Sequence, residues 1–360
     1  MSNFILSIDT SCDDTSAAVT SGTAVLSNIV ASQVELHKEF GGVFPTVAKQ
    51  AHRERIKPVV ELALKRAKLT TDQLAAIAVT QGPGLAPALE VGVEFAKQLA
   101  GQLKLPLLPI NHIEGHVLSV LAKPSTKLGA QQSNSFPALS VIVSGGHTEF
   151  VLVEEPGKYQ RIGWTVDDAA GEALDKFGRM VDLGYPAGPV VEEFAKRGDA
   201  KAFAFPLPMT TTDNFLMSFS GLKTAVRRKV EELESESTLS QQHIFDLCAS
   251  FQYAVFHAIT YKLNKYLQKR NNDLTQPKLF GVWLGGGVAA NTTLRAMLRE
   301  IIRPYQLSLA VPYTKKLCSD NAAMIGVAAG FVLTEFKKHS HPETLQIERL
   351  PNWQIGSTTS

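Results

Sequence analysis

Two histidines four residues apart, His112 and His116 in the stretch Asn-His-Ile-Glu-Gly-His at 111–116, are the residues whose types and spacing most directly suggest chemistry. A spacing of four puts both imidazoles on one helical face, where neutral rings can grip one metal ion. Two ligands do not close a site, and the best distant third ligand is Asp320. Taken alone, such a pair is more often the polar face of an ordinary helix, and an Asp at a helix start is more often an N-cap.

A second cluster lies at Thr10-Ser11-Cys12-Asp13-Asp14-Thr15, a turn crowded with hydroxyls and carboxylates. It reads either as Asx and Ser/Thr bonding that closes a hairpin or as a charged site with something cationic nearby. Three glycine-bearing stretches could receive an anion or a flat ligand: 82–92 (Gly-Pro-Gly-Leu), Ser144-Gly145-Gly146-His147-Thr148, and Gly285-Gly286-Gly287 running to Asn291. Glycine lets the backbone come close to a phosphate, and a helix start supplies N–H donors. The spacing of the last stretch is not a dinucleotide fingerprint.

These residues need elements to carry them. Strands are expected at 4–9, 16–20, 24–31, 75–80, 105–110, 138–143, 149–153 and 279–284. Helices are expected at 47–68, from the 82–92 turn to 103, at 112–121, 167–176, 241–268, from 292, and from 318 to 336. A helix starting near 219 carries Arg227 and Arg228, either an RNA-facing patch or a solvated face, and 231–240 reads as an acidic connection. The strand–turn–strand at 4–20 recurs at 138–153, about 135 residues on, which suggests duplicated lobes whose turns point at a cleft between them. Residues 124–135 read as a boundary loop, and the polar segment after Lys338 carries no readable signal.

At 360 residues, 44% hydrophobic and 19% charged, the chain belongs with folded globular proteins and can form two lobes. A net charge of +2 gives no global drive toward nucleic acid, so RNA binding would need a local patch or a partner. Cys12, Cys248 and Cys318 are odd in number and far apart, which disfavours a disulfide framework or zinc knuckle and fits a reducing compartment. With no leader-like or bilayer-length apolar segment legible, the expected address is the cytoplasm, without membrane association.

In this order the motifs resemble the TsaD family of tRNA N6-threonylcarbamoyladenosine transferases, which carry the actin/Hsp70/sugar-kinase (ASKHA) fold. The matching stretches are 9–15, 41–45, 82–85, 111–116, 144–148, 167–176, 185–189, 219–224, 285–291 and 318–324, in register over about residues 4–330. The resemblance implies an α/β protein of duplicated ribonuclease-H-like lobes with a central cleft: 1–135 plus 321–345, 136–320, and a polar tail at 346–360. It implies one metal, iron(II) or zinc, on His112, His116 and Asp320. The adenylate of threonylcarbamoyl-AMP would be held by Ile142, Val143, Ser144, Gly145, Gly146, Asp175, Gly188, Glu192 and Asn291. Asp13 and Asp14 are implied in catalysis or its control.

The implied reaction is transfer of threonylcarbamoyl to N6 of adenosine 37 in tRNAs reading ANN codons. The implied partners are tRNA, a TsaB-like paralogue, a TsaE-like ATPase and an enzyme that makes the adenylate. The chain departs from the family in having Asp9 and Asp14 where Glu is usual, Pro87-Ala88 for Gly-Ser, and Ser319 for Thr. Three rivals share parts of this pattern: an ASKHA-fold kinase or ATPase, a non-catalytic paralogue, and a zinc protease. A zinc protease needs H-E-x-x-H, whereas Glu114 lies two residues past His112, about 200° around a helix.

Overall fold

A computed structural model describes residues 3–127, 136–339 and 346–357. Its contacts divide the chain into two compact units. The first is Met1–Asn134, Glu154–Gln160 and Val311–Ser360, and the second is Ser135–Val153 and Arg161–Ala310. Residues 311–320, expected with the second lobe, thus fall in the first, and so does the tail. Part of the expected boundary loop, 128–135, lies outside the described residues.

The first unit is built on β1 (Phe4–Asp9), β2 (Asp14–Ser21), β3 (Ala24–Ser32), β4 (Leu74–Gly82), β5 (Leu107–Asn111) and the short β6 (Lys123–Pro124), in the spatial order β5-β4-β1-β2-β3-β6. β1, β2 and β3 form an antiparallel meander, and β4 and β5 extend it in parallel. Its helices are α1 (Val34–His37), α2 (Pro45–Ala67), α3 (Ala86–Leu103) and α4 (His112–Leu118), with one more from the far end of the chain.

Strand alternation sorts side chains onto two faces. Leu6, Ile8, Ala17 and Val19 meet Ile56 and Val59 of α2 and Val93 and Ala96 of α3 in one buried core. Each fully buried aliphatic side chain there is worth about 1.5–3 kcal/mol.

The second unit repeats the plan. Its sheet is β7 (Ala138–Val143), β8 (Thr148–Glu155), β9 (Lys158–Trp164), β10 (Gly281–Gly285) and β11 (Ser308–Ala310), in the order β11-β10-β7-β8-β9, the end of β8 and the start of β9 being counted with the first unit. As in the first unit, a hairpin strand pairs in parallel with a strand that arrives much later in sequence. Its helices are α5 (Ala170–Met180), α6 (Gly188–Ala195), α7 (Ser220–Glu236), α8 (Gln241–Asn272) and α9 (Thr292–Ile302). Phe177 of α5 stacks on Phe251 of α8 with ring centroids 4.6 Å apart, tying α5 to the long helix.

α7 corrects one expectation: it runs through the acidic stretch to Glu236. Buried Val226 and Val230 keep its apolar face, and Lys229 Nζ donates to Glu232 Oε1 at 2.7 Å. The buried apolar face and this i,i+3 pair thus outweigh the polar composition.

The last helix, α10 (Ala322–His339), returns to the first unit and lies across β1 and β2. Ser7 Oγ donates to Ala322 O at 2.7 Å, which pins the helix start to the sheet. Gly326 permits this approach, since a Cβ there would stand 2.6 Å from Thr20 Oγ1. No described helix is long and apolar enough to cross a membrane.

Candidate functional site

In the first unit, β5 hands the chain to α4 through Asn111. Its Oδ1 accepts from Ile113 N at 2.8 Å and from Glu114 N at 3.3 Å, capping a helix whose first residue is His112. His112 and His116 then face the same way, ring centroids 4.7 Å apart and planes crossed at 82°.

The turn before α10 supplies Asp320. Asn321, not Asp320, caps that helix, its Oδ1 accepting from Met324 N at 3.1 Å. Asp320 is left to meet the histidines, with Oδ1 3.1 Å from His116 Nε2 and 3.6 Å from His112 Nε2. One ligand atom from each residue lies within 4.8 Å of the others.

The electrostatics suit this arrangement. Burial works to raise the Asp320 carboxyl, but the two imidazoles overcome it and hold the group well below the usual carboxylate range. Burial pushes His116 down, toward the neutral form that ligates metals. His112 ends above its ordinary value because Asp320 and Asp9 outweigh its burial. Two buried imidazole nitrogens and the ionised oxygen of a half-buried carboxylate converge, a donor set that fits a divalent transition metal. Glu114 is turned elsewhere: Tyr159 Oη donates to its Oε1 at 2.8 Å, and burial lifts its carboxyl to about 7. Glu114 is therefore not placed as a zinc protease's water-activating Glu would be.

The acidic turn between β1 and β2 lies within reach of the Asp320 charge. Burial raises the Asp13 carboxyl and carries Asp14 to about 7, while the Cys12 thiol is pushed far up by burial. Asp9 accepts from Ser11 N at 3.1 Å and stands 3.9 Å from His112 Nδ1.

A directed chain of hydrogen bonds holds this turn. His52 Nε2 donates to Cys12 O at 2.9 Å, and its Nδ1 accepts from Thr15 Oγ1 at 2.8 Å and from Gln33 Nε2 at 3.3 Å. Gln33 Oε1 accepts from His37 Nε2 at 3.2 Å, whose Nδ1 accepts from Phe44 N at 3.3 Å. Gln33 N also donates to Asp13 O at 3.1 Å. Those donor directions require both rings neutral, and burial lowers the pKa of each. Two successive carbonyls of the acidic turn are thereby fixed, through α1 and α2, to the 41–44 loop.

Sequence reading singled out none of Gln33, His37 or this role of His52. It also missed the tail. Gln81 Nε2 donates to Glu348 O at 2.6 Å and Asn111 Nδ2 to Trp353 O at 3.3 Å, so 346–357 runs along the ends of β4 and β5. The Pro87-Ala88 departure is absorbed locally. Pro87 sits in the first turn of α3, where no N–H is needed, and Ala88 O accepts from Thr10 Oγ1 at 2.9 Å.

In the second unit the β7–β8 turn exposes Gly145 and Gly146 beyond buried Ile142 and Val143. Ser144 Oγ accepts from His147 N at 3.0 Å, and Ser144 O accepts from Gly171 N at 3.1 Å, seating the start of α5 on the turn. Gly286, at φ +89°, lies so close to Val143 that a Cβ would be 2.3 Å from its carbonyl oxygen.

The other expected residues in this unit are joined through helix starts. Asp175 Oδ1 accepts from Ala187 N at 2.8 Å and Gly188 N at 3.3 Å, and Glu192 Oε1 accepts from Thr292 N at 2.8 Å. Asn291 Oδ1 caps α9 by accepting from Thr293 N at 2.9 Å, while its Nδ2 donates to Gln252 Oε1 at 2.7 Å. Gln252, buried on α8, is a further partner that the sequence did not reveal.

Comparison with known proteins first fixes the class. The chain is similar to the Thermococcus kodakarensis protein HypF at TM-score 0.59 and 14% identity, covering 93% of this chain and 48% of that one. It is also similar to the Clostridium difficile activator of 2-hydroxyisocaproyl-CoA dehydratase, solved with bound ADPNP, at TM-score 0.50 and 11% identity, covering 94% and 98%. The fold is ASKHA-like α/β.

The sequence profile of TsaD, tRNA N6-adenosine threonylcarbamoyltransferase, matches residues 24–327. Proteins of that name from Chelativorans sp. (46% identical, covering 90% of this chain and 88% of the relative) and Geotalea daltonii (39%, 98% and 97%) are similar over nearly the whole chain. The chain belongs to the TsaD family and is a transferase.

Proposed function

We propose that this transferase moves threonylcarbamoyl from threonylcarbamoyl-AMP to N6 of adenosine 37 in tRNAs that read ANN codons. The observation carrying this reading is the convergence of His112, His116 and Asp320 in a chain of this family. Those three would hold one iron(II) or zinc ion, which when bound supplies Lewis-acid polarisation of a carbonyl. An exocyclic amine is a weak nucleophile, so such activation matters.

In the reaction a bond forms between N6 and the carbamoyl carbon, and the bond from that carbon to the AMP phosphate oxygen breaks. The proton leaving N6 passes to a carboxylate of the acidic turn, with Asp13 as acceptor and Asp14 as its neighbour. Burial raises both carboxyls, which makes each a better base near neutral pH than an exposed Asp. The hydrogen bonds from His52 and Gln33 to the turn keep those carboxylates in one place.

On the second unit, Ile142, Val143, Ser144, Gly145 and Gly146 would take the adenylate with Asp175, Gly188, Glu192 and Asn291. Exposed glycine amides suit a phosphate, and the carboxylates and amide suit ribose and base edges. The protein would act in the cytoplasm with a TsaB-like paralogue and a TsaE-like ATPase, another enzyme making the adenylate. An ASKHA-fold kinase has no use for the histidine pair.

The test is nucleoside mass spectrometry on unmodified ANN-decoding tRNA incubated with this protein, threonylcarbamoyl-AMP and the partners. Threonylcarbamoyladenosine should form with the intact chain and not with His112→Ala or partners alone. Absence of both product and adenylate binding would overturn the reading.

A further inference from the structure

In the second unit α5 and α7 pack together and leave a groove of about 230 Å³ lined by Lys176, Arg179, Met180, Lys223 and Arg227. Four of the five lining residues are cations. They come from positions three apart on α5 and four apart on α7, so each pair shares a helix face. Lys176 is committed, its Nζ 2.6 Å from Asp168 Oδ1 and 2.9 Å from Glu172 Oε1. Lys223 and Arg227 have no ion pair among the described residues, and Arg227 and Arg179 are exposed.

The start of α7 is not the attraction. Asp167 already caps it, accepting from Phe219 N at 2.8 Å and Ser220 N at 3.3 Å. What remains is a small basic volume in which Lys223 and Arg227 are the cations without an ion pair among the described residues, available to an anion. The groove is several times the roughly 30 Å³ that one water occupies in the liquid, room enough for a phosphate group.

Among the described residues no aromatic side chain lines the groove, and the apolar member of its lining is Met180. Stacking platforms for bases are therefore missing, and the surface can read charge without reading sequence. We propose that the α5–α7 groove seats the phosphodiester backbone of the RNA substrate through Lys223 and Arg227. This rests on the reading that the substrate is a tRNA, and it assigns where that tRNA is gripped.

The test measures binding of the full-length chain to labelled, unmodified tRNA across a salt series. Removing two phosphate contacts with Lys223→Gln/Arg227→Gln should make the slope of log K against log salt shallower by about 1.4–1.8. The loss should be equal for tRNAs that do and do not read ANN codons, and the KM for tRNA should rise with the Kd. The single, exposed Arg227→Gln should give about half the slope change, which guards against a folding defect in the double variant. A Lys201→Gln/Lys278→Gln control, elsewhere on the same unit, should leave the slope alone.

An unchanged slope in the double variant overturns the proposal. So does a loss confined to an acidic phosphopeptide or to anionic vesicles, with tRNA binding intact. Failure of the wild-type chain to modify or bind any tRNA would instead strike the functional reading, a distinguishable result.

Discussion

The two units share one strand order and put their clusters at the same place, the tip of the first hairpin, yet the tips differ in kind. Between β1 and β2 the tip is Thr10–Asp13, enclosed, acidic and held by neutral histidines. Between β7 and β8 it is Ser144–His147, with two exposed glycines and its hydrogen bonds made by a hydroxyl and backbone. The same scaffold thus carries a region where burial shifts carboxyl pKa values and one where the backbone is left open. The first kind of site suits proton and metal chemistry, and the second suits holding an anion.

The comparison can be broken most severely at the triad. Asp320→Ala should lower turnover by about a thousandfold or more, since metal activation of a carbonyl is worth several kcal/mol. Asp175→Asn, in the second unit, should act mainly by weakening adenylate binding. Steady-state kinetics with varied adenylate separates the two, and a similar loss of turnover in both variants would erase the proposed division.

Stability comes next. Gly286→Ala forces a Cβ against Val143 O at a left-handed φ and should cost about 2–3 kcal/mol. Thermal unfolding should show the loss while metal content stays at the wild-type level.

His52→Ala should be milder, about 1–3 kcal/mol from unpaired polar groups around Cys12 O and Gln33. Because the histidine chain fixes the acidic turn, turnover should fall by more than adenylate affinity. Equal falls would contradict a positioning role.

The shallowest effect is in pH. The folded pKa of Asp14, about 7, lies above its unfolded value, so the folded state holds the proton more tightly. In metal-free protein this group's contribution to stability is fully present below about pH 4 and is lost as pH rises toward 7. Asp14→Asn should flatten that fall in denaturant titrations at a series of pH values. An unaltered slope would place Asp14 in a more solvated setting.

Much of this was legible in the sequence where the signal is local. The spacing of His112 and His116 needs only helix geometry, and Gly286 announces a close approach. Asp320 was ambiguous until Asn321 proved to take the capping role. The histidine chain was hidden because Gln33 links His37 to His52 only once β3, α1 and α2 are folded together. Residues 348–353 looked like polar tail because most of their anchoring is through main-chain groups, Glu348 O, Leu350 N, Pro351 O and Trp353 O, which leave no mark on residue type. α7 outran its expected end because Val230 is buried in a stretch whose composition reads as a connection.

The most direct check on the central claim is the metal content of the purified chain, measured by elemental mass spectrometry for wild type, His116→Ala and Asp320→Ala. The account predicts about one iron or zinc ion per wild-type chain and little in either variant, with folding intact by circular dichroism. Equal metal in all three, or none in an active wild-type protein, would contradict it.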